Sequence, residues 1–142
     1  YAHTPDALES ALRALRGVAE TRGANLVVIF GCGGDRDRGK RPLMGALAAQ
    51  LADKVVLASD NPRSEDPQAI LDEIRSAVPG AEVFIDRAEA IRRTVLAAHP
   101  ADVILLAGKG HEPYQEIAGV RRPFSDVDEA KSALALRQET GK

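Results

Sequence analysis

Tryptophan is absent, and three phenylalanines and two tyrosines make up the whole aromatic content. A single nucleic-acid strand therefore finds few flat faces on which its bases can stack. An excess of positive charge is missing as well. Nineteen Lys and Arg stand against 21 Asp and Glu, a net charge of −2, so no basic field points to nucleic acid. A single cysteine, Cys32, excludes an internal disulfide and fits a reducing cytoplasm. No apolar run approaches the ~20 residues of a membrane span, and no signal peptide is visible. Internal repeats and low-complexity tracts are also lacking. The first residue is Tyr1 rather than Met, and the expectation is a piece of a longer protein.

What is present suits one globular domain. The chain has 142 residues, 44% hydrophobic and 28% charged, enough for a core of its own. Leu8, Leu12, Leu15 and Val18 recur at helical spacing over residues 5–22, with Thr4 or Pro5 at the start and Gly23 at the end. Leu26 to Phe30 is a continuous apolar run, as expected of a strand covered on both faces. The pattern then predicts a helix over 41–52 with Leu43, Leu47 and Leu51 inward, a strand over 54–59 and a helix over 67–77. A strand over 82–85, a helix over 88–98 and a buried strand over 102–107 follow. Residues 114–124 read as a hairpin at the sheet edge. Ser125-Asp126 caps a last helix over 127–138, with Val127, Ala130 and Leu134 inward. Residues 139–142 are expected to fray. Strands alternating with helices imply an α/β fold: a mostly parallel sheet, helices on both faces and right-handed crossovers.

Three polar loops leave carboxyl ends of strands, which in a parallel sheet share one edge, so the loops can converge on one cleft. The central one is Asp60-Asn61-Pro62-Arg63. Pro62 fixes its own φ and pushes Asn61 toward extended geometry, and Arg63 offers a planar fork for a carboxylate or phosphate. Two readings of this loop stand side by side. One is a grip on the acidic end of a small substrate. The other is an Asx-turn with a solvated arginine, the commoner fate of such residues.

The loop before it, Gly34 to Arg41, has phosphate-loop spacing, but Arg41 stands where a hydroxyl must ligate magnesium and Pro42 lacks a donor. The dinucleotide fingerprint fails at Arg36. What remains is a charged loop in which Arg36, Arg38, Lys40 and Arg41 are available to an anion, or in which Asp–Arg pairs simply face water. The third loop is Gly108-Lys109-Gly110-His111-Glu112. Its glycines let a ligand approach the backbone, and Glu112 suits an ammonium group. His111 reads as structural, since no further His, Cys or carboxylate completes a metal site. Cys32 reads as an inert apolar residue.

Taken together, Tyr1 to Leu8, Gly31 to Pro42, Asp60 to Arg63 and Gly108 to Glu112 resemble the carboxyl-terminal domain of the Mur ligases, in their diaminopimelate-adding branch. The resemblance covers nearly the whole chain. It implies a Rossmann-like domain, residues 1–142, that closes over the site of a three-domain enzyme. That enzyme adds meso-diaminopimelate to UDP-MurNAc-L-Ala-D-Glu in peptidoglycan precursor synthesis, in the cytoplasm. In the family, ATP with magnesium phosphorylates the D-glutamate side chain, and the incoming amine attacks the acyl phosphate. The family's P-loop lies in another domain, so this piece alone is expected to be inactive, with no catalytic residue and no metal ligand of its own. The resemblance implies a diaminopimelate site at Arg36, Asp60, Asn61, Pro62, Arg63, Gly108 and Glu112, and a nucleotide contact at His3. The rivals are a lysine-adding or folylpolyglutamate-type ligase, or a non-catalytic anion-binding module of the same fold. Arg63 argues against lysine, and Gly108 to Glu112 against folate.

Overall fold

The computed structural model describes residues 2–140. Helix α1 (Pro5–Arg22) begins where Thr4 Oγ1 accepts the Ala7 N–H at 3.1 Å, and it ends on left-handed Gly23. Strand β1 (Leu26–Phe30) leads to α2 (Lys40–Leu51), and β2 (Lys54–Ala58) to α3 (Pro67–Arg75). Strand β3 (Glu82–Phe84) leads to α4 (Arg87–Ala97), followed by β4 (Val103–Leu106). A hairpin, β5 (Tyr114–Ile117) and β6 (Val120–Pro123), precedes α5 (Asp126–Glu139). Asp66, Asp86 and Ser125 cap α3, α4 and α5 through their side chains.

Four strands form one parallel sheet in the order β3-β2-β1-β4. The central strand β1 is buried along its whole length, which is why its sequence is apolar without alternation. Leu26, Val28 and Phe30 face one core with Leu8, Met44 and Ile74 of α1–α3. Val27 and Ile29 face the other, with Ile91 and Val95 of α4 and Ala133 of α5. The chain steps from β1 to β2 to β3 with helices on one face. It then returns past β1 to β4 with α4 on the other face, so the direction of winding reverses beside β1. Ligands of open α/β sheets bind at such a reversal, outside the carboxyl ends of the strands.

Several expected faces turn out otherwise. The hairpin is not at the sheet edge: it forms a separate two-stranded sheet, and its backbone meets the loop after β2 at an isolated parallel bridge, Arg63 to Ile117. Strand β4 is itself the edge, and so is half-buried rather than buried. On α2, Leu43 is exposed and Leu47 half-buried, while Met44, Gly45 and Ala48 face inward. The cause is close packing, since a Cβ on Gly45 would lie 2.5 Å from the Ile74 carbonyl oxygen of α3. On α5, Val127 and Leu134 are exposed, and Asp126 and Ala133 are buried. That helix docks through small residues and an ion pair, Arg87 to Asp126 at 2.7 Å, instead of a leucine face. Val18 of α1 is also exposed. Helix α5 runs through Glu139 with Thr140 at its cap, and residues 141–142 lie outside the described part. Among the described residues no helix is long and apolar enough to cross a membrane.

Candidate functional site

The three loops meet. Gly34 N–H donates to the Asn61 carbonyl at 2.8 Å, and Arg63 Nη1 donates to the Gly34 carbonyl at 2.9 Å, lacing the first loop to the second. A side chain on Gly34 would overlap the Pro62 carbonyl, so this close approach requires glycine. Asp35 takes φ +56, which aspartate tolerates. Its carboxylate accepts from Ser64 N and Oγ, at 3.2 and 2.5 Å. Behind this seam Arg41, fully buried, donates to both oxygens of Glu65, to Glu73 and to the Gly33 carbonyl. The Arg41 hydrogen bonds, seconded by the Asp35 N–H, hold the Glu65 carboxyl down to about 2. Arg38 adds two hydrogen bonds to Glu73, holding that carboxyl below its ordinary value.

The expectation that Arg38 and Arg41 are available to an anion therefore fails. Glutamates of the second loop and α3, far along the chain, already hold them. Asp37 does not pair with an arginine; it accepts the Gly39 N–H at 2.9 Å. Burial pushes the Cys32 thiol up to about 12, as befits an inert residue beside Met44.

Between the loops lies a cavity of about 290 Å³. Among its lining residues are His3, Arg36, Asp60, Asn61, Arg63 and Glu112. Pro62 and Gly108 do not line it. Pro62 is buried in the turn, and Gly108, at φ +110, backs onto the Asp60 carboxyl. The cavity has two chemical sides. On one, Arg63 and Arg36 flank Gly33, whose Cβ would lie 2.7 Å from Arg63 Nη1 and 3.6 Å from Arg36 Cγ. Arg63 spends a single N–H on Gly34 and Arg36 a single N–H on the Asp35 carbonyl, so most of both guanidinium forks is unused among the described residues. On the other side Glu112 accepts from Asn61 Nδ2 at 2.6 Å. Asp60, 4% exposed, keeps Oδ1 without a hydrogen bond.

Lys109 holds that second side together, a role the sequence reading missed. It is fully buried. Its Nζ donates to Asn61 Oδ1 at 3.1 Å, Glu112 Oε1 at 3.2 Å and the Tyr114 carbonyl at 3.0 Å, and forms an ion pair with Asp60 Oδ1 at 3.3 Å. Burial pushes the Glu112 carboxyl up, but hydrogen bonds from Asn61 and Lys109 outweigh it, and the net direction is down. His3 adds its field to Glu112 across the cavity. Asp60 and Glu112 together carry two negative charges and Lys109 one positive charge, which leaves one negative charge facing the cavity. His111 is exposed and takes no part in the lining.

The sequence profile of the family described as Mur ligase, glutamate ligase domain, matches residues 1–110. The chain belongs to this family. UDP-N-acetylmuramoyl-L-alanyl-D-glutamate–2,6-diaminopimelate ligase of Ralstonia nicotianae is 59% identical over 140 residues, which is 96% of this Mur ligase domain. The ligase of the same name from Synechococcus elongatus is 52% identical over 141 residues, 97% of the chain. The chain spans only 27% and 28% of the length of these relatives. A solved structure of a ligase of that name superposes with a TM-score of 0.89 at 46% identity, over 97% of this chain and 28% of that one. Folylpolyglutamate synthase from Thermotoga maritima shares the fold alone, with a TM-score of 0.54 at 24% identity over 73% of this chain and 23% of that one.

Proposed function

We propose that this Mur ligase domain is the carboxyl-terminal, amino-acid-receiving part of a three-domain, ATP-dependent ligase. That enzyme joins meso-diaminopimelate to UDP-MurNAc-L-Ala-D-Glu in the cytoplasm. The observation that carries the reading is the two-sided cavity: unused guanidinium forks opposite a net negative charge. Diaminopimelate has a second amino-acid head, with a carboxylate and an ammonium on one carbon. Its carboxylate suits the forks of Arg63 and Arg36 through charge-assisted hydrogen bonds. Its ammonium suits the Glu112 carboxylate, whose Oε1 takes the bonds from Asn61 and Lys109 while Oε2 takes none among the described residues, with the Asp60–Lys109 ion pair behind it. Pro62 and Gly108 act on this head only through the backbone they shape. Lysine lacks the second carboxylate and leaves Arg63 without a partner, a loss that such a site can punish by up to about 10⁴-fold. The names of the relatives agree with this substrate.

The work of these residues is orientation. Gripping the far head holds the near amine in one place, and restricting a nucleophile in this way is a large share of what a ligase supplies. Activation of the dipeptide's carboxyl by ATP and magnesium is assigned to the rest of the enzyme. The stretch from Gly34 to Arg41 does not fit a triphosphate, because Arg38 and Arg41 are held by Glu65 and Glu73 and no hydroxyl stands at position 41. His3, on the cavity wall, is offered as a contact to the nucleotide and no more. Arg63→Ala in the full-length enzyme tests the reading. The expected result is a rise in the KM for diaminopimelate of about 10²-fold or more, the loss of a charged hydrogen-bonded pair, with the KM for ATP unchanged. Equal effects on both substrates overturn it.

A further inference from the structure

Strand β5 uses both of its edges. One pairs with β6. The other is applied to the second loop just where β2 has ended and its backbone has lost the sheet as a partner. Arg63 N–H donates to the Glu116 carbonyl at 3.0 Å, and Ala118 N–H to the Arg63 carbonyl at 2.7 Å. Glu116 N–H donates to Asn61 Oδ1 at 2.9 Å. The residue just before them, Gln115, is buried, and its Nε2 donates to the carbonyls of Ser59 at 3.1 Å and Asp60 at 2.9 Å. Ser59 and Asp60 are buried too, so these carbonyls need a partner from the protein. Gln115 spends both hydrogens of its amide on them and does not line the site cavity.

Arg63 sits at φ +53, a left-handed conformation that an arginine holds only when its surroundings impose it. Both of its backbone hydrogen bonds to β5 impose it. The side chain is thereby aimed at Gly34 and the cavity.

We propose that the β5–β6 hairpin is a brace that sets the recognition arginine, and that Gln115 is a positioning residue for amino-acid selectivity, acting through the loop from Ser59 to Arg63. The inference rests on the reading of the cavity given above. Without the Gln115 amide, two buried carbonyls lose their donors, the loop shifts toward water, and the Arg63 fork no longer meets a carboxylate squarely. A displacement of about one ångström at a positioning group costs up to about 10²-fold.

The test is Gln115→Met in the full-length enzyme, a change that keeps length and removes both donors. The KM for diaminopimelate is expected to rise about tenfold, with kcat and the KM for ATP within about twofold, and preference over lysine falls about tenfold. In an Arg63→Ala background the same change adds less than about twofold, because the group it positions is gone. A diaminopimelate KM within about twofold of the parent, a parallel rise for ATP, or full multiplication with Arg63→Ala each overturns the brace. If Arg63→Ala itself leaves the diaminopimelate KM unchanged, the cavity reading falls and takes this inference with it. If Arg63→Ala raises it and Gln115→Met does not, the brace alone fails. Gln115→Asn, whose amide is one methylene short, carries the same comparison should the Met variant be insoluble, with the same split of KM values expected and its absence overturning the brace.

Discussion

Lys109→Met isolates the charge arrangement on which the site depends. The substitution keeps the apolar stem and removes one ammonium, with three hydrogen bonds and an ion pair at 3.3 Å. What stays behind is Asp60, almost wholly buried, next to half-buried Glu112, with no cation between them. Removing one member of a buried ionic cluster and leaving the other uncompensated costs about 3–5 kcal/mol. Losing the donor to the Tyr114 carbonyl falls within that range, not on top of it. Urea unfolding of this chain, followed by circular dichroism at pH 7, reads the effect. With a slope of about 1–3 kcal/mol/M, the midpoint should drop by roughly 2 M with the slope unchanged. The pH dependence supplies a second check. The Glu112 carboxyl lies below its ordinary value of 4.5 in the folded protein, with burial pushing it up and Asn61 and Lys109 pulling it further down. Stability from such a group is present above 4.5 and is lost as pH falls. The variant gives up the Lys109 share, so the gap between the two proteins is widest at neutral pH and narrows on acidification below about 4.5. A loss under about 1 kcal/mol at pH 7, or a gap that widens in acid, refutes the role given to Lys109.

Two further outcomes follow from the laced loops. Glu65, held down to about 2 by Arg41, stabilises the fold above pH 4.5 and loses that contribution as pH falls toward about 2. Glu65→Gln should therefore flatten the acid limb of the urea-midpoint curve in that window, and an unchanged limb counts against the network. Gly34→Ala forces a Cβ onto the Pro62 carbonyl, which costs about 1–3 kcal/mol as an overpacked contact. Because Arg63 donates to the Gly34 carbonyl, the same change should raise the diaminopimelate KM of the full-length enzyme. A stable Gly34→Ala enzyme with a normal KM would mean that the two loops are not coupled.

The parallel sheet was open to reading because β1, and β2 after Lys54, are covered on both faces and so are apolar. The caps Thr4 and Ser125 made the starts of the first and last helices equally plain, whereas Asp66 and Asp86 show themselves as caps only in the structure. Faces that pack through small residues were not. Gly45 and Ala133 carry almost no hydrophobic signal, so Leu43 and Leu134 drew the prediction to the wrong sides of α2 and α5. The hairpin's place was hidden for a different reason. It is attached by a backbone bridge to Arg63 and by the Gln115 amide on the carbonyls of Ser59 and Asp60, and neither has a local pattern. At the site, residue types announced what a substrate can use, the forks of Arg36 and Arg63 and the carboxylate of Glu112. They did not announce what the protein uses internally. Arg41 and Lys109 look like free cations in sequence, and while Glu112 is a near neighbour of Lys109, Glu65 lies 24 residues from Arg41 and Asn61 lies 48 from Lys109. Only folding reveals that such charges are already taken.

Titration calorimetry of the full-length enzyme with diaminopimelate and with lysine, run side by side under one set of conditions, tests whether Arg63 selects the two-headed amino acid. Diaminopimelate is expected to bind, and lysine to bind more weakly by as much as about 10⁴-fold, the difference collapsing in Arg63→Ala. Equal affinity for the two amino acids, or a preference that survives loss of the arginine, contradicts it.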